Sequence, residues 1–129
     1  MVSKLDSAMP FANLLGIEVE QSEKEQVVGR LKVTADLCTT GEILHGGAIM
    51  AFADSLGAIG AFMNLPEGSK ATTTIESKTN FLGAAKLNST VIGTTSPVKV
   101  GRRLSVWSTH IVDEDNRDIA VVTQTQLAL

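Results

Sequence analysis

The run GGAIMAFADSLGAIGAFM, residues 46–63, constrains this chain more than any other feature, because Asp54 is its only ionisable side chain. The run carries no proline and is apolar on almost every side, which predicts one long helix from about Gly47 to Asn64. A helix that is apolar all round has to be covered on more than one side. Within such a helix a carboxylate is costly unless it is paired, neutralised or used. His45-Gly46-Gly47 opens the helix, and first-turn amides have no partner within the helix and carry partial positive charge. At about 1.5 Å of rise per residue, Gly47 and Asp54 lie roughly 10 Å apart along the axis, a span that one pocket could use at both ends.

The remaining segments supply the cover. Pro10 suits the first position of a short helix, PFANLL, and Gly16 its left-handed termination. Strands are expected at Ile17 to Gln21 and Gln26 to Ala35, joined by the polar turn SEKE. Asp36 to Leu44 is loop-like, and Leu65-Pro66-Glu67-Gly68 ends the long helix. Four more strands follow, at Ala71 to Leu82, Leu87 to Val100, Leu104 to Val112 and Ile119 to Leu127. Strand, strand, helix and four strands, without strand–helix alternation, argues for an α+β fold in which a curved antiparallel sheet surrounds the helix. By ordinary burial preferences Phe52, Leu56, Phe62 and Phe81 are expected in its core. Sheet edges need protection, which makes pairing with a second copy a reasonable expectation.

At 129 residues the chain is expected to be a single domain, 1–129, with a core that needs neither disulfides nor a structural metal. One cysteine, Cys38, and two histidines cannot assemble a zinc site of ordinary ligand count. The net charge is −3, with Lys and Arg dispersed apart from Arg102-Arg103, so no nucleic-acid footprint is present. The apolar run from Ala48 to Met63 is 16 residues, holds Asp54 and two glycines, and reads as too short and too interrupted for a membrane span. Residues 1–7 lack a basic stretch followed by an apolar one, so the expected location is the cytoplasm.

Each residue with chemical potential has an ordinary reading and a functional one. Asp54 either caps a loop or pairs with an arginine, or it faces a cleft where desolvation strengthens a carboxylate as a base or nucleophile. His45 is a structural hydrogen-bonding residue or a base. Gly46 and Gly47 permit close packing, or they expose backbone amides to an incoming oxygen. Thr72-Thr73-Thr74 is a β-branched strand start whose hydroxyls alternate between faces, so at least one points inward. Arg102 and Arg103 form a solvated edge or hold a phosphorylated ligand. Ser55 has no G-x-S-x-G elbow and no histidine placed to activate it.

His45-Gly46-Gly47-Ala48, with Asp54 nine residues after the histidine, resembles the hotdog-fold acyl-CoA thioesterases of the phenylacetate-degradation and 4-hydroxybenzoyl-CoA thioesterase groups. The resemblance runs through nearly the whole chain. It includes Pro10-Phe11, Leu15 to Val19, Thr74-Ile75-Glu76 leading to Asn80-Phe81-Leu82, Gly101 to Leu104, and the closing strand Ala120 to Thr125. It implies a long helix wrapped by a curved sheet, dimers joined through their sheets and often paired into tetramers, and a site across the dimer interface. It implies that the Gly46 amide polarises the thioester carbonyl, that Asp54 is the general base or nucleophile, and that Thr74 reaches the site from the neighbouring subunit. Arg102 and Arg103 are implied contacts for the phosphates of coenzyme A, itself part of the substrate. No metal or redox cofactor is implied. One departure stands six residues before the histidine, where relatives commonly carry Asn, Gln or Asp near the carbonyl. This chain has Thr39 there, with Cys38 as the alternative equivalent, because Gly41 is displaced by one residue. The departure keeps a non-catalytic acyl-CoA binding module as the second reading, and an enoyl-CoA hydratase fits the motif spacing poorly.

Overall fold

The fold is that of a computed structural model and is described over residues 8–129, so the N-terminal seven residues, where no leader is expected, lie outside it. Helix α1, Pro10–Leu15, has proline in its first turn, and Gly16 closes it at φ +85° by donating its N–H to the Ala12 and Asn13 carbonyls. Strands β1 (Glu18–Ser22) and β2 (Val27–Lys32) follow as a hairpin. After the long helix α2, Gly46–Met63, come β5 (Thr72–Phe81), β6 (Thr90–Val100), β7 (Leu104–Asp113) and β8 (Asp118–Ala128). These six strands form one antiparallel sheet in the order β1-β2-β6-β7-β8-β5, and α2 packs against five of them. The segment expected as loop holds a 3-10 turn, Ala35–Leu37, and a two-residue ladder between β3 (Cys38–Thr39) and β4 (Ile43–Leu44).

Period-two patterning explains which face of the sheet meets the helix. Val27 and Leu31 on β2, Val91 on β6, Trp107 and Ile111 on β7, and Ala120 and Val122 on β8 are fully buried. Phe52 and Leu56 descend from α2 among them. Truncating a side chain so placed typically costs about 2–5 kcal/mol, because the cavity closes only in part. The helix can approach this closely because it is small where the sheet is bulky. A Cβ on Gly60 would stand 2.7 Å from the Trp107 ring, and one on Gly57 would overlap the Gln124 amide.

Two expectations are corrected here. Phe62 is 60% exposed and Phe81 54%, so only Phe52 and Leu56 of the four expected core residues are in the core. The sheet is open, and its edge strands β1 and β5 leave one strip of α2 uncovered, running through Met50, Asp54, Ala58 and Phe62 at helical spacing. The helix is also longer than the run counted for a membrane span. At 18 residues and a mean hydropathy of 1.4 it is long and apolar enough by length and composition to cross a bilayer. Its buried residues instead hold it against the sheet.

Candidate active site at the central helix

Asp54 sits in the middle of the uncovered strip and is half-buried. It is not paired with an arginine, and among the described residues it makes no ion pair. Its partner is Thr74, whose hydroxyl donates to Asp54 Oδ1 at 2.6 Å. Oδ2 takes no hydrogen bond among the described residues. Thr74 points toward the helix because β5 alternates faces and carries a bulge after it, between Thr74 and Glu76. Bulges of this kind re-aim side chains beside functional sites. The bond forms within one chain, so Thr74 and Asp54 are presented together by the same copy.

Behind Thr74 lies a network that the sequence reading missed. Gln126 Nε2 donates to Thr74 Oγ1 at 2.6 Å and to Gln124 Oε1 at 2.6 Å. Gln124 Nε2 donates to the Ala53 carbonyl at 3.1 Å, and the Thr72 hydroxyl donates to Gln126 Oε1 at 2.9 Å. Both glutamines are fully enclosed, Gln124 at 0% and Gln126 at 1% exposure. A signal for them was present in the alternation of β8, where residues 124 and 126 fall in phase with the buried Ala120 and Val122. Buried amides need partners, and here every nitrogen and oxygen of the two has at least one, with both hydrogens of Gln126 Nε2 in use.

His45 is the N-cap of α2, with its Nδ1 accepting the Gly47 N–H at 2.7 Å. That is the structural alternative for the histidine, and it consumes one of the helix's orphan donors. The Gly46 N–H, first in the helix, takes no acceptor among the described residues. On one side Gly46 meets the Phe81 ring, which would stand 3.2 Å from an added Cβ. A cleft of about 510 Å³ opens at this end between α1 and α2, and Phe11, Leu37, Cys38, His45 and Gly47 line it. Cys38 donates its thiol to the Thr34 carbonyl at 3.4 Å, whereas Thr39 is exposed on the β3 ladder and lies outside the lining.

The remaining candidates fall elsewhere. Arg102 and Arg103 are exposed on the β6–β7 turn, close to Asn64 and Leu65 at the opposite end of α2 from His45. Within one chain they meet neither Asp54 nor Gly46. Ser55 donates back to the Ala51 carbonyl at 2.8 Å, which leaves it no role as a nucleophile. Gly46 and Asp54 also fail to converge within one chain. Eight residues of helix separate them by about 12 Å along the axis, too far for both to act on one carbonyl group.

The family model described as "Thioesterase superfamily" matches residues 41–120, from the turn before β4 into β8. ComA2 of Bacillus subtilis is 30% identical over 117 residues, which cover 91% of this chain and 92% of that protein. The 1,4-dihydroxy-2-naphthoyl-CoA hydrolase of Escherichia coli is 32% identical over 114 residues, covering 86% of this chain and 82% of the relative. Among solved structures, the PaaI protein of the Escherichia coli phenylacetic acid degradation operon superposes with a TM-score of 0.88 at 19% identity, covering 97% of this chain and 88% of that one. A hypothetical thioesterase of Streptococcus pneumoniae, solved with coenzyme A, gives 0.80 at 23% identity, covering 88% and 85%. At these identities the two structures speak for the fold alone, the hotdog arrangement of one long helix against a curved sheet.

Proposed function

The chain belongs to the thioesterase superfamily, as a hydrolase of thioesters, and from that premise we propose that its substrate is an acyl-coenzyme A, cleaved by water to the free acid and coenzyme A. The observation that carries the catalytic half of this reading is the Thr74–Asp54 hydrogen bond. It occupies Oδ1 and leaves Oδ2 as the basic oxygen on the uncovered strip of α2. Coenzyme A as the thiol is supported by the hydrolase relative from Escherichia coli, whose substrate carries it.

Asp54 acts in one of two ways. As a general base, Oδ2 takes a proton from water while the water oxygen bonds to the thioester carbon. As a nucleophile, Oδ2 itself bonds to that carbon, and water then cleaves the resulting mixed anhydride. In both routes the carbonyl oxygen becomes negative, and its double bond re-forms as the carbon–sulfur bond breaks. Coenzyme A leaves as a thiolate that takes up a proton, in the general-base route the one Oδ2 removed from water. A preorganised backbone donor at the carbonyl oxygen typically contributes about 10²- to 10³-fold to the rate. The Gly46 N–H at the positive end of α2, without an acceptor among the described residues, is the donor proposed for it. Because one chain's Gly46 and Asp54 are too far apart, the working pair comes from two copies, a homodimer or a tetramer built from dimers. Arg102 and Arg103 are proposed to contact the phosphates of coenzyme A only across such an assembly. No cofactor enters either route, and the proposed setting is the cytoplasm.

Thiol release from benzoyl-, butyryl- and palmitoyl-CoA tests the reading. Turnover of at least one is expected, and its collapse in Asp54→Asn. Unchanged turnover in that variant would falsify the role of Asp54.

A further inference from the structure

The catalytic reading of Asp54 does not explain why two glutamines are sealed beneath it. A primary amide enclosed in an apolar core is costly unless every donor and acceptor is used, so the pair needs an account of its own. The chain of bonds that uses them has a fixed direction. It starts at the Ala53 carbonyl, which accepts and cannot donate, so Gln124 must present Nε2 to the helix and Oε1 to Gln126. Gln126 must then present Nε2, which serves Gln124 with one hydrogen and Thr74 Oγ1 with the other, while its Oε1 accepts from Thr72. Turning either amide over would set oxygen against oxygen. A threonine hydroxyl has one proton. Once Thr74 Oγ1 accepts from Gln126, its own proton is directed to Asp54 Oδ1.

We propose that Gln126, seated by Gln124, is a positioning residue that sets the direction of the Thr74 hydroxyl. Thr74 thereby always donates to Asp54 Oδ1, and Oδ2 remains the oxygen that meets water or the acyl carbon. The inference rests on the reading of Asp54 as the catalytic carboxylate. Gln126 touches no substrate and acts only through Thr74. Gly57 is part of the same device, since the helix admits the Gln124 amide only where it has no Cβ.

The test is a mutant cycle read by steady-state kinetics on the best substrate among benzoyl-, butyryl- and palmitoyl-CoA, with Asp54→Asn as the reference. Gln126→Met keeps the bulk and removes the amide. It is expected to lower kcat about 10-fold with KM little changed, the effect of one lost hydrogen bond to a site group. In a Thr74→Val background the same substitution should lower kcat no further, because the hydroxyl it directs is gone. A loss that multiplies in that background, a change confined to KM, or an unchanged kcat overturns the proposal. If Gln126→Met does not fold, Thr72→Val replaces it. That half-buried position loses only the bond to Gln126 Oε1, with kcat expected to fall about 3-fold in the native background and not at all with Thr74→Val. An unchanged kcat in Thr72→Val overturns the proposal too. If Asp54→Asn turns over normally, or no acyl-CoA is hydrolysed, the catalytic reading falls and this inference with it. If Asp54→Asn is inactive while Gln126→Met keeps its kcat, the inference alone falls.

Discussion

The two halves of α2 are organised in opposite ways. Around Asp54 the chain fixes a run of hydrogen bonds behind the carboxylate, from Thr74 through Gln126 and Gln124 to a carbonyl of the helix itself. Around Gly46 it fixes little beyond the His45 cap, leaving an open N–H, a cleft and the exposed ring of Phe81. A carboxylate that moves a proton needs a set orientation before substrate arrives, and a single chain supplies that orientation here. A backbone amide needs no support beyond its own helix. What it lacks is a basic oxygen within reach, and the 12 Å or so of helix to Asp54 means that a second copy has to bring one. The strip of Met50, Ala58 and Phe62 that the sheet leaves uncovered, with Met50 and Phe62 exposed and Ala58 half-buried, lies on the same side of the helix as Asp54.

This contrast breaks most visibly at Asp54. Asp54→Asn keeps the Thr74 bond within reach and removes the base, so kcat should fall about 10²- to 10⁴-fold with the fold intact by circular dichroism. Thr74→Val comes next, with a loss of roughly 10- to 100-fold in kcat, the range of a hydrogen bond to a charged group. Thr74→Ser should recover most of it, and a failure to do so would assign the loss to packing. Gly57→Ala tests the base half through stability. Its Cβ overlaps Gln124, and overpacking of this kind typically costs about 1–3 kcal/mol, visible as a lower midpoint in urea. His45→Ala probes the amide half and should cost about 1 kcal/mol through loss of the cap. Its turnover should fall less than that of Thr74→Val, and a larger fall would give His45 a role in the reaction itself. The smallest effect is expected at the departure in the motif. Thr39→Ala, at an exposed position, should change stability by less than about 0.5 kcal/mol. With Cys38 and not Thr39 in the cleft, Cys38→Ala should alter KM more than Thr39→Ala does.

Much of the fold was legible because its signals are local. Pro10 and Gly16 bracket α1, the bounds of α2 lie within a residue of those expected, and the four strands after it fall where glycine and polar turns divide the sequence. The errors arose where a residue's fate depends on a distant element. Phe62 and Phe81 look like core by composition, yet the open sheet leaves the strip of α2 holding Phe62 uncovered, and Phe81 sits on its β5 edge. The site divides in the same manner. Spacing singled out His45, Gly46 and Asp54, the strand after the helix offered Thr72, Thr73 and Thr74 without choosing among them, and the family resemblance pointed to Thr74. Gln124 and Gln126 lie 70 and 72 residues beyond Asp54 and carry no motif. Only the period-two phase of β8 marks them, as amides at positions where the neighbouring strand residues are buried.

The sequence by itself determined one long apolar helix, the strands to cover it, and a lone carboxylate at a set distance from a donor-rich helix end. Each of these is written in residues near one another, through helical spacing, strand alternation and turn chemistry. Which chain's Thr74 meets Asp54, which way that hydroxyl points, and which strip of the helix stays open were decided only when the sheet closed on the helix. Hydrogen bonding is directional and short-ranged, so the register of β5 against β8 had to be set before Gln126 could find Thr74.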